Sequence, residues 1–157
     1  MTLGNDNGGL LFSAHNKSKD AEKLQKQPIS QLSDENRLQI CASALNIVSE
    51  LSLHKIHLTF DAIMFAYQDN YLKILVGDLD TVDTIEDTTN LMAKNIEEMC
   101  YAFLRASTYF TLDVNLFVTF ASSLDYLKSK GDERFQNIDF QAIFNKVYKD
   151  IVRESAG

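Results

Sequence analysis

Hydrophobic and polar positions alternate most regularly in Thr108–Phe120, where Phe110, Leu112, Val114, Leu116, Val118 and Phe120 occupy every second place. Thr111, Asp113, Asn115 and Thr119 fill four of the five gaps, and only Phe117 breaks the pattern. Successive side chains of a strand point to opposite faces, so this spacing predicts a strand with Asp113 and Asn115 turned to water. It would lie between a long amphipathic helix before it and a shorter helix after it.

The rest of the chain reads by the same periodicities. Ser33 is a suitable N-cap, with Asp34 and Glu35 in a first turn where the helix dipole favours negative charge. The apolar positions from Leu38 to Leu51 spread over a wide arc, as for a helix covered on more than one side and ending near Leu53. From Lys55 the period shortens to two, predicting a strand over Ile56–Phe60. Ile63, Phe65 and Tyr67 then lead into Asp69-Asn70, residues that tolerate positive backbone angles, and Leu72, Ile74 and Val76 lead out. That predicts a hairpin, although Phe60, Ile63, Met64, Tyr67 and Tyr71 also fit helical spacing. Beyond Gly77, Thr81 or Asp83 can cap a long helix over Ile85–Ala106 whose polar side carries Lys94, Glu97, Glu98 and Arg105. A short helix over Ser122–Lys130 ends at Gly131, and Asn137 can cap a last helix with Phe140, Ile143, Phe144, Val147, Tyr148 and Ile151 on one face. The fold class expected is α+β, an antiparallel sheet with helices on one face, the alternative being an all-α bundle.

Residues 1–32 contain three of the six glycines and the only proline, so they read as a flexible tail before a single domain over 33–157. Leu10, Leu11 and Phe12 form an apolar island inside it that could dock on the body or on a partner.

Composition narrows the function classes. A length of 157 residues with 45% hydrophobic and 24% charged residues suits one globular domain. The net charge of −7 disfavours nucleic acid and anionic membrane surfaces as partners. No apolar run approaches the roughly 20 residues that cross a bilayer, and no secretory signal pattern is present. Cys41 and Cys100 fall among apolar residues, as buried free thiols do in a cytoplasmic protein.

Candidate chemistry is sparse. An EF-hand loop beginning at Asp78 would put Val82 at a ligand position and Thr89 where a closing glutamate belongs, so the acidic run of Asp78, Asp80, Asp83, Glu86 and Asp87 reads as helix capping or an acidic binding patch. Glu97 and Glu98 with that run bring to mind a magnesium-dependent nucleotide pyrophosphohydrolase, but the paired acidic spacings are missing. His54 and His57 would point to opposite faces of a strand. No glycine-rich phosphate loop, nucleophile elbow or Cys-x-x-Cys pair occurs. No cofactor or metal is expected. The aromatic surplus carries more, since Tyr71, Leu75 and Phe117 fall on the outer side of the expected sheet, where apolar residues mark either coverage by another element or a protein interface.

The order of elements, Asp34–Leu53, the strands of Ile56–Val76, Ile85–Ala106, the strand Tyr109–Phe120 and Ile138–Val152, is similar to that of the small acidic chaperones of type III secretion. It departs from them in its N-terminal tail and in having one strand where that family has a pair. The resemblance implies a homodimer that binds an extended segment of a client protein along hydrophobic patches, without nucleotide hydrolysis. The function expected is thus a non-enzymatic protein-binding module of chaperone or adaptor type, binding through Tyr71, Leu75 and Phe117. An acidic inhibitor of a basic partner, acting through Asp78, Asp80, Asp83 and Asp87, is the alternative from a second class, and the hydrolase is a third.

Overall fold

The computed structural model describes residues 10–14, 29, 31–77, 80–81, 88–110 and 112–156. Its elements are β1 (Leu10–Ser13), α1 (Asp34–Leu53), β2 (Ile56–His57), a 3-10 turn (Phe60–Ala62), β3 (Ile63–Gln68), β4 (Tyr71–Val76), β5 (Asp80–Thr81), α2 (Thr88–Phe110), α3 (Asn115–Ser129), a second 3-10 turn (Glu133–Phe135) and α4 (Phe140–Ala156). The fold is α+β. β1, β3 and β4 form an antiparallel sheet in the order β1-β3-β4, and β2 pairs with β5 in a separate two-stranded ladder.

The β3–β4 hairpin turns on Asp69 (φ 56°) and Asn70 (φ 63°), both left-handed, the geometry that a two-residue hairpin loop needs to match strand twist. One face of the sheet carries Leu10 and Phe12, Ile63, Phe65 and Tyr67, and Leu72, Ile74 and Val76. The helices cover this face. Phe65 lies 5.4 Å from the Phe12 ring and 6.2 Å from Phe103 of α2, while Phe110 closes on Phe12 at 5.8 Å. α1 packs against β4, and α2 is sandwiched between α1 and α4. Ser33 caps α1 as its sequence suggests, its hydroxyl accepting from the Asn36 N–H, and Gly131 (φ 89°) follows α3 in the left-handed conformation.

Residues 108–110 and 112–120 are not a strand. α2 continues to Phe110, and α3 begins at Asn115. Two of the alternating apolar residues, Leu116 and Phe120, are spaced by four and with Leu124 beyond them form the buried stripe of α3, while Leu112 is buried in the connection before it. Val114 and Val118 are exposed, and Phe110, the remaining member of the alternation, is buried at the end of α2. Phe117, which interrupts the strand pattern, supplies the adjoining position that widens the helical stripe. The order of elements behind the resemblance to secretion chaperones therefore lacks its C-terminal strand.

Asp113 makes the connection between α2 and α3. It is only 2% exposed rather than turned to water. One carboxylate oxygen accepts from the Asn115 N–H at 2.9 Å, at the start of α3. The other accepts from the Leu32 N–H and the Arg37 guanidinium, each at 3.0 Å. Arg37 also donates to the Leu32 carbonyl at 2.7 Å and pairs with Asp34. The α2–α3 corner is thereby tied to the segment entering α1.

Other expectations shift by smaller amounts. The strand expected over Ile56–Phe60 is reduced to Ile56–His57, because α2 side chains hold the backbone that follows. Asn95 Oδ1 accepts from the Leu58 N–H at 2.8 Å while Nδ2 donates to Ser52 Oγ and the Ile56 carbonyl, and Glu98 Oε1 accepts from the Phe60 N–H at 2.8 Å. The last helix starts at Phe140 with Asp139, not Asn137, accepting from the Ala142 N–H. Leu10–Ser13, inside the segment expected to be a tail, is the edge strand β1, and Ile29 and Leu32 are buried in the core. Arg105, placed by periodicity on a polar face, is buried: Nε donates to the Ala14 carbonyl at 3.0 Å, the guanidinium pairs with Glu154, and it lies 5.1 Å from the ring centroids of Phe60 and Tyr109.

Candidate functional site

The face of the sheet opposite the helices is built from rows of directly opposed residues: Ser13, Met64 and Leu75; Leu11, Ala66 and Lys73; and Gln68 with Tyr71. Strand alternation turns Lys73 and Gln68 outward as expected of a wetted face, yet it puts Leu11, Met64, Tyr71 and Leu75 there as well. Leu11 and Leu75 are each 43% exposed and Tyr71 is 36% exposed, whereas Ala66 and Ser13 are buried. Exposed apolar residues grouped on one sheet face are the kind of surface that a partner can cover.

The patch runs to the edge of β4. The Gly77 N–H bonds to the Ala62 carbonyl at 2.7 Å, so in this antiparallel ladder the pairs at 62/77, 64/75, 66/73 and 68/71 exchange hydrogen bonds. Backbone groups of Leu72, Ile74 and Val76 therefore face away from β3. At Leu72 the side-chain amide of Asn36 takes the place of a neighbouring strand, donating to the carbonyl at 2.9 Å and accepting from the N–H at 2.8 Å. Beside Ile74 a cleft of roughly 200 Å³ opens between β4 and α1, lined on the helix side by Gln39, Ile40 and Ser43.

Of the residues proposed from sequence, Tyr71 and Leu75 share this face. Phe117 does not. It lies on α3 and packs edge-to-face on Phe144 of α4, ring centroids 5.7 Å apart, because its segment is helical. Asp78, Asp83 and Asp87 lie outside the described residues, and Asp80 pairs with His57 in the β2–β5 ladder. Sequence reasoning missed Leu11 and Met64. The signal for Leu11 was the apolar island at residues 10–12, and Met64 was obscured because it fits the competing helical period.

Other surfaces offer less chemistry. A groove of roughly 470 Å³ between α1 and α3 is lined by Leu38, Cys41, Ala42, Leu45, Tyr126 and Leu127. Burial pushes the Cys41 thiol up to about 12, and the fully enclosed Cys100 thiol is raised further, which leaves both without thiolate near neutrality. Glu98 is raised by burial, partly offset by its bond from the Phe60 N–H. Among the described residues no three His, Cys, Asp or Glu side chains converge as a metal site. Among them, too, no helix is long and apolar enough to cross a membrane. Comparison with protein-family models, with curated proteins and with solved structures found no match for the chain.

Proposed function

We propose that this protein is a non-enzymatic polypeptide-binding module, of chaperone or adaptor type, that holds a segment of a partner protein on the outer face of its sheet. The observation carrying this reading is the apolar surface of Leu11, Met64, Tyr71 and Leu75 on the face opposite the helices. Burying such side chains against a partner removes apolar area from water, the main favourable term in most protein association. Lys73 at its middle favours a partner segment with an acidic residue among its apolar ones. We place this activity in the cytoplasm, where two free, buried cysteines are at home, and in a homodimer that uses neither nucleotide nor metal.

A reduced, carboxymethylated unfolded protein serves as the probe, its binding followed by fluorescence anisotropy. Leu75→Glu should weaken binding by about tenfold, corresponding to one well-buried apolar contact. Leu53→Glu, an equally polar change at an exposed leucine at the end of α1, should leave it within about twofold. Equal affinity of the wild type and both variants would exclude the sheet face as the binding surface.

A further inference from the structure

The outer face is not the whole of the surface that a partner could use, because one edge of β3 is filled by a short strand. β1 spans four residues against the six of β3, and among the described residues it pairs with Met64, Phe65, Ala66 and Tyr67. Since β3 spends the backbone groups of 62, 64, 66 and 68 on β4, its bonds to β1 come from Phe65 with Phe12 and Tyr67 with Leu10. Two side chains anchor the strand. Phe12 stacks on Phe65 and meets Phe110, and Leu10 is buried beside it. A third hold is the Arg105 donation to the Ala14 carbonyl just past the strand.

Such a strand can leave as a unit. Among the described elements β3 is its main packing partner, and its other holds are to α2, through Phe110 and Arg105. In sequence, fourteen residues separate Ala14 from Ile29, four of them Lys and two Gln. A connection of that length can span up to about 50 Å.

Resting on the polypeptide-binding reading above, we propose that β1 is an autoinhibitory occupant of a strand-acceptor site on β3. The ligand is an extended segment of a partner protein with leucine and an aromatic residue two positions apart, followed two residues later by a carbonyl for Arg105. The chemistry of that ligand is read from the occupant in place. A partner segment with apolar residues at the positions of Leu11 and Ser13 would adjoin Met64 and continue the apolar patch. A second copy of β1 gains none of this, since every contact it makes is already made within the chain. The consequence has an unusual sign: weakening the protein's own strand tightens its hold on a partner, because the binding-competent form becomes more populated.

The probe is a fluorescein-labelled synthetic peptide of residues 8–15, GGLLFSAH, titrated with the full-length protein. Phe12→Ala in the protein should lower the half-saturating concentration by about tenfold, since the tethered competitor loses its main anchor while the acceptor is untouched. A second variant, Ser13→Cys with Met64→Cys, keeps the test open should Phe12→Ala fold poorly. These residues are a directly opposed pair without mutual backbone bonds, the spacing that suits a disulfide. The oxidised form should bind peptide at least about tenfold more weakly than the reduced form, and a peptide with leucine and phenylalanine moved out of alternation should bind neither.

Peptide binding that ignores the lock, or Phe12→Ala binding no more tightly than wild type, would overturn the proposal. So would a concentration-dependent dimer that the lock abolishes, because the acceptor would then serve a second copy. The two readings separate cleanly. If Leu75→Glu loses the unfolded probe while peptide binding is indifferent to the lock, the patch stands and the acceptor falls; the reverse pattern removes the patch alone.

Discussion

Asp113→Ala tests the corner that replaces the expected strand. The substitution leaves the N–H of Leu32 and of Asn115 without their acceptor, and it removes one of the carboxylates paired with Arg37. Had this residue faced water on a strand, its loss would change stability by no more than about 0.5 kcal/mol. Buried as it is, the carboxylate makes one charge-charge and two charge-assisted backbone bonds, and breaking a buried pair from one side costs about 3–5 kcal/mol. The retained pairing of Arg37 with Asp34 and the Leu32 carbonyl puts the expectation at the lower end, about 3 kcal/mol. In a chain of this size that lowers the melting temperature by roughly 6–12 °C. Urea unfolding followed by circular dichroism reads it as a lower midpoint at unchanged slope. Asp113→Asn keeps one acceptor oxygen and the shape, and should lose about half as much. A loss below about 1 kcal/mol for Asp113→Ala would refute the corner as described.

Further expectations follow from other parts of the fold. Cys41 and Cys100 should resist alkylation by iodoacetamide at pH 8 in the native protein and react fully in guanidinium chloride, since burial raises both thiols; rapid labelling of either without denaturant would contradict their enclosure. Burial raises the Glu98 carboxyl, so the folded chain keeps that proton to higher pH than the unfolded chain. Its contribution is fully present below the unfolded value and is lost as pH rises through the folded one. Glu98→Gln, which can still accept from Phe60, should flatten stability against pH from the ordinary glutamate value upward, and parallel profiles for the two proteins would count against it. Asn70→Gly relieves a left-handed residue at the hairpin tip and should raise stability by about 0.5 kcal/mol in the same urea assay, whereas a loss above that size would mean that the Asn70 side chain matters to the turn.

The features legible in the sequence are those fixed by local chemistry. Asp69-Asn70 announces its turn because few other residues accept two successive positive φ angles, and Ser33 and Gly131 mark helix ends for equally local reasons. Thr108–Phe120 was ambiguous because a period of two contains a period of four. Only the continuation through Leu124, together with Phe117, separates the two; the first lies beyond the alternating window and the second is a single exception within it. Asp113 shows the same difficulty in a polar residue. Its burial is created by Arg37 and Leu32, far away in sequence, so no local pattern could report it. At the candidate site, Tyr71 and Leu75 were recoverable from strand alternation alone. Leu11 was not, because its place depends on β1 crossing to β3, and a short apolar island carries no record of the edge it will join.

Arg105 has a consequence for how the chain is made. Its guanidinium meets Ala14, 91 positions earlier, and Glu154, 49 positions later, so one side chain joins material from both ends of the molecule. During synthesis Leu10–Ser13 leaves the ribosome long before β3, and it waits longer still for the helix that bears Arg105. Such distant pairing is slow to form, and the interval leaves Leu-Leu-Phe open to association with other nascent chains. Expression at reduced temperature or with ribosome-bound chaperones should therefore raise soluble yield most in variants that already weaken Arg105 or its two partners.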